Sequence, residues 1–73
     1  CGSVEEAYLE LKSGINPQNP VDHVSLAQWC VQQQLMEEAR GELEEAVRLN
    51  PMNSENRILL QRVEDLMNPL RSQ

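Results

Sequence analysis

The chain has 73 residues, a mass of 8.3 kDa and a net charge of −6, which allows one small domain with a marginal core. Six Lys plus Arg against twelve Asp plus Glu argue against a nucleic-acid backbone or an anionic bilayer as partner, because both demand clustered cations. The longest unbroken apolar run is three residues, far short of the roughly 20 of a membrane span or the roughly 7 of a signal-peptide core.

Residue usage predicts an all-α fold. Ten Leu, ten Glu and seven Gln stand against six Val, two Ile and no Thr. Unbranched side chains lose little rotamer freedom in a helix, whereas β-branched and aromatic ones favour strands. Four Asn-Pro pairs divide the chain, at 16–17, 19–20, 50–51 and 68–69. A residue before proline is driven out of the helical region, so each pair marks a boundary.

The first segment covers 4–13. Ser3 and Glu6 have capping-box spacing, Val4, Ala7, Tyr8, Leu11 and Ile15 recur at helical spacing, and Gly14 offers a stop that tolerates positive φ. The second covers 20–33, with Asn19 as cap, Pro20 at the first helical position and Asp22 in the first turn. Val24, Leu26, Ala27, Trp29, Cys30 and Val31 make this helix apolar on more than one side, so neighbours are expected on two sides. The third covers 36–49. Ala39, Leu43, Ala46, Val47 and Leu49 form its apolar stripe; Glu37, Glu38, Glu42, Glu44 and Glu45 form the face expected to be wet. Arg40 with Glu44, and Glu44 with Arg48, are i,i+4 pairs, and Gly41 weakens the helix interior. The fourth covers 54–67, capped by Asn53 or Ser54. Leu59, Val63, Leu66 and Leu70 line one side, with Ile58, Leu60 and Met67 beside them and a frayed tail at 71–73.

Segments two and three together resemble one tetratricopeptide repeat, spanning residues 20–53. Leu26 and Ala27 match the first helix of the motif. Ala39, Leu43 and Ala46 match the small-large-small pattern of the second, and Pro51 closes the unit at the expected spacing. His23 and Cys30 stand where the family has large aromatics, and Gln34 where its inter-helix turn usually has Gly. The resemblance implies an antiparallel helix-turn-helix solenoid fragment of about four helices. Residues 3–14 would lie where a preceding second helix lies. Segment 54–67 would place Arg57, Gln61 and Glu64 at packing positions, and these polar residues suit a capping helix rather than a further repeat.

No composed site for catalysis, cofactor or metal is read in the sequence. His23 and Cys30 are seven residues apart, about 10 Å along a helix axis, too far for a nucleophile–base pair. His23 reads as a core-edge histidine, Cys30 as a small buried hydrophobe, and the glutamates of segment three as a solvated face rather than a cation site. No Gly-rich phosphate loop, G-x-S-x-G or H-E-x-x-H occurs. Cys1-Gly2-Ser3 resembles the start of a mature bacterial lipoprotein, and equally the boundary of a piece of a longer protein. Localisation stays open between a cytoplasmic protein and an exported or lipid-anchored parent.

These readings converge on a non-catalytic protein-interaction or scaffold module whose partner is a protein or peptide. In the resembled family the first helices line a concave surface. Val21, Val24, Gln28, Val31 and Gln32 fall there, with Val24 and Gln28 where carboxylate-clamping members carry cations, so a mildly apolar groove is expected. Trp29 packs toward segment one near Tyr8 and Leu11, or else anchors a partner. The alternatives are a homo-oligomerisation module, joined through Val24, Val31 or the leucines of segment four, and a helical accessory domain of a larger enzyme.

Overall fold

The computed structural model describes residues 3–68. Cys1, the proline of the last Asn-Pro pair, Leu70 on the fourth stripe and the tail 71–73 lie outside the described residues. The fold is all-α: α1 (Val4–Gly14), α2 (Pro20–Gln32), α3 (Met36–Leu49) and α4 (Ser54–Met67), with no strand among the described residues. Among the described residues no helix is long and apolar enough to cross a membrane.

Local chemistry sets the helix ends. At α1 the capping box forms in full: Glu6 N donates to Ser3 Oγ and Ser3 N donates to Glu6 Oε1, both at 3.2 Å. Asn19 accepts from Val21 N at 2.9 Å and Asn53 accepts from Glu55 N at 2.9 Å, each relieving first-turn amides that have no helical partner. Gly14 does end α1, but not through positive φ. The chain leaves by Ile15 in an extended conformation, which places it on the path to Pro17.

The α2–α3 turn is where a left-handed residue is required, and Gln34 supplies it at φ 65°. Leu35 N donates to Cys30 O at 2.8 Å and Gln34 N to Val31 O at 3.0 Å. These are the two bonds of a Schellman ending, with half-buried Leu35 packed back on the core. The turn reverses the chain in three residues and lays α3 antiparallel against α2.

The core is small because the molecule is thin, with Cα extents of 39 × 28 × 12 Å. Its centre lies between α2 and α3. Cys30 and Leu43 are the largest side chains fully shielded from water, and Ala27, Ala39 and Ala46 are buried beside them. Three alanines at the contact let the helix backbones approach closely, and the two larger side chains fill the remaining space. Tyr8 from α1 and Val63 from α4 complete the cluster from either flank.

Three sequence expectations need correction. Glu42 is not on the wet face of α3; it is 3% exposed. Three residues from both Ala39 and Glu45, it sits on the edge of the apolar stripe, where α1 and α2 cover it. Arg48 pairs with Glu45 rather than Glu44, through Nε at 3.1 Å and Nη2 at 2.6 Å. Arg40 and Glu44 do meet, at 3.9 Å on the surface. In α4 the inward row is Asn56, Val63 and Met67, with Leu59 and Leu60 beside it. Leu66 is 61% exposed because the helix is rolled to bring Val63 onto α3. Of the polar positions that a further repeat would pack on, Arg57 and Gln61 are exposed and Glu64 is half-buried.

Candidate functional site

Two features stand apart from ordinary helix packing: an open groove between α2 and α4, and a buried polar node where α1, α2 and α3 meet.

The groove has a volume of about 380 Å³. Ala27, Leu43 and Val63 floor it, so its base is the core itself. Gln28, Val31 and Gln32 form the α2 wall; Leu59, Arg62 and Leu66 form the α4 wall. It exists because α2 and α4 both pack on α3 and leave a furrow between them. Half of the sequence-derived surface therefore comes together here, namely Gln28, Val31 and Gln32. Val21 is 67% exposed near the start of α2 and Val24 is half-buried against the core; neither lines the groove. Trp29 faces the other way. It lines a smaller cleft of about 200 Å³ with Leu11 and Ile15 of the α1 side, in keeping with its packing toward segment one.

Sequence reasoning did not place Arg62 or Leu66 in the groove. Arg62 has no ion-pair partner among the described residues and contributes the groove's cation. The available signal was weak: Leu59, Arg62 and Leu66 recur at i, i+3 and i+7, but that row reads equally well as a core stripe with one misfit.

The polar node is centred on Glu42. Its Oε1 lies 2.6 Å from His23 Nδ1, and its Oε2 accepts from the Tyr8 hydroxyl at 2.6 Å and faces Lys12 Nζ at 3.2 Å. His23 Nε2 stands 2.9 Å from the Pro17 carbonyl oxygen. Lys12 also reaches the Tyr8 hydroxyl at 3.4 Å and rides 5.6 Å from the centre of its ring. No buried side-chain nitrogen or oxygen among the described residues lacks a partner.

The node's electrostatics follow from this wiring. Burial pushes Glu42 upward, but the bonds from Tyr8, His23 and Lys12 outweigh it and hold the carboxyl below its usual range. Burial pulls His23 downward, but Glu42 and the Pro17 carbonyl outweigh it and raise its pKa above the ordinary value. Burial and the Glu42 carboxylate push the Tyr8 hydroxyl up to about 12. The same two effects push the Cys30 thiol to about 11, which leaves it protonated and inert as a nucleophile at neutral pH.

A carboxylate beside an imidazole has the outline of a general-base dyad. Here the second ring nitrogen is occupied by a backbone carbonyl, so no lone pair is presented to a substrate. The described residues hold no group of three or more His, Cys, Asp or Glu placed to hold a metal ion. No family profile, curated protein or solved structure matches this chain.

Proposed function

We propose that this chain is a non-catalytic protein-interaction module of tetratricopeptide-like build, and that the α2–α4 groove takes an apolar peptide segment carrying one carboxylate. The observation that supports this reading is the groove's chemistry. An apolar floor continuous with the core is rimmed by two amides and by Arg62, a cation without an ion-pair partner among the described residues. Apolar side chains of a partner would bury against Val31, Leu59 and Leu66. The glutamines offer hydrogen bonds to its backbone, and Arg62 offers a bidentate contact to a carboxylate. The resemblance of residues 20–53 to a tetratricopeptide unit points the same way, since such units present their first helices as a concave binding surface.

The test is selection of a random peptide library on the immobilised chain, after light scattering has established its mass in solution. Selected peptides should carry apolar residues around an Asp, Glu or free C terminus. Val31→Glu and Leu66→Glu should abolish binding, and Arg62→Glu should weaken it about tenfold, with a modest salt dependence from one ion pair. The exposed Glu44→Lys change on α3 should leave binding intact. The reading is overturned if Val31→Glu binds normally, or if Glu44→Lys abolishes binding that also collapses with salt, which would make the acidic α3 surface the site. A dimeric mass that reverts to monomer in Leu66→Glu would instead assign the groove to a second copy.

A further inference from the structure

We infer that α1 is a pH-set latch, held on α2 and α3 through a His23 that donates from both ring nitrogens, and loosened when His23 gives up a proton.

The geometry carries this. Tyr8 is the one buried residue of α1, while Leu11 of the same helix remains 44% exposed. The polar part of its docking runs through the node: Tyr8 and Lys12 hold Glu42, Glu42 holds His23, and His23 holds Pro17 in the loop that leads back to α1. Both partners of the imidazole are acceptors, a carboxylate oxygen at 2.6 Å and a carbonyl oxygen at 2.9 Å. Only the doubly protonated ring satisfies both. Either neutral tautomer turns a nitrogen lone pair onto an oxygen lone pair, so one contact becomes repulsive inside a site that is 4% exposed.

The groups that face the pair come from every side. Tyr8 and Lys12 belong to α1, Cys30 to α2 and Glu45 to α3, while Asp22 of α2 accepts from Asn16 N in the nearby loop at 2.9 Å. Their balance favours the charged pair. Because the His23 pKa is raised on folding, its contribution is complete below the ordinary 6.5 and is lost as pH rises through the higher folded value. Because the Glu42 pKa is lowered, its contribution is complete above the ordinary 4.5 and is lost as pH falls through the lower folded value. The latch is tightest between the two. Its opening uncovers Leu26 and Trp29, which line the α1-side cleft with Leu11 and Ile15.

Trp29 is the chain's one tryptophan and His23 its one histidine, so both ends of the latch can be read separately in the full chain. The experiment follows Trp29 emission, far-UV circular dichroism and the His23 ring nitrogen resonances from pH 5 to pH 9. His23 should titrate above 6.5. Trp29 emission should move to the red with the same midpoint, together with a loss of helix no larger than α1, and the open fraction should rise roughly fivefold for the lost hydrogen bond. H23Q removes the imidazole and leaves every other titrating group in place, so its emission should be flat. The latch is overturned if His23 titrates at or below 6.5, if the two midpoints differ, or if H23Q shows the same emission change. Should H23Q fail to fold, the coincidence or separation of the two wild-type midpoints decides the question alone.

Discussion

The contact between α2 and α3 and the contact that docks α1 are built on opposite principles. The first is a matter of volume: three alanines permit close approach, and Leu43 and Cys30 fill what is left. The second is a matter of charge: one buried carboxylate receives a histidine, a tyrosine and a lysine from two other elements. Apolar packing is indifferent to pH and salt and tolerates no change of size. A buried ionic node tolerates little change of charge and makes its element responsive to protons. The same 73 residues thus contain an unconditional pair of helices and a conditional third.

Leu43→Ala is the sharpest way to break the volume side. It should cost about 2–5 kcal/mol in urea melts, because a shielded side chain between two close helices leaves a cavity that alanine-lined backbones cannot collapse into. Ala39→Leu or Ala46→Leu should cost about 1–3 kcal/mol through overpacking. All three losses should be the same at pH 5.5 and pH 8.

Glu42→Gln attacks the charge side at nearly constant volume. A loss of about 1–3 kcal/mol is expected near pH 6, since the charged His23 and Lys12 keep only a neutral acceptor. The loss should shrink as pH rises, because His23 then discharges in both proteins. A loss independent of pH between 5.5 and 8.5 would mean that the node is held by shape, like the α2–α3 contact, and the comparison would fail.

Smaller effects sharpen the picture at the backbone. Gly41 has open space where a Cβ would stand, so Gly41→Ala should stabilise by about 0.5–1 kcal/mol. Gln34→Gly should stabilise by up to about 1 kcal/mol by relieving the left-handed residue in the α2–α3 turn. A loss in the second case would show that the Gln34 side chain contributes to the turn. Smallest of all, Glu38→Gln should change stability by less than about 0.5 kcal/mol, which measures how far an ordinary α3 glutamate differs from Glu42.

Much of this fold can be read along the chain. The Asn-Pro pairs, the Ser3/Glu6 box and the caps at Asn19 and Asn53 mark helix ends because capping and proline sterics act over three or four residues. The burial of Ala27, Cys30, Ala39, Leu43 and Ala46 follows from helical periodicity for the same reason. The groove was half legible: Gln28, Val31 and Gln32 share one face of α2, but the opposite wall depends on how α4 is rolled about its axis. That roll is a tertiary choice: it buries Val63 of the stripe, brings Leu59 and Met67 against the core and leaves Leu66 at the surface.

Glu42 marks the boundary between the two kinds of information. Periodicity sees a glutamate at the edge of a stripe, among four others that look alike, and assigns it to water. Its fate is decided by Tyr8, thirty-four residues earlier, and His23, nineteen residues earlier, whose arrival requires two turns to be made and three helices to be packed. Local sequence sets where helices begin, end and turn their oily sides, since those energies arise between near neighbours. Which polar group is taken out of water, and is therefore able to carry a protonation-dependent contact, is set only when distant partners arrive to replace the water it loses.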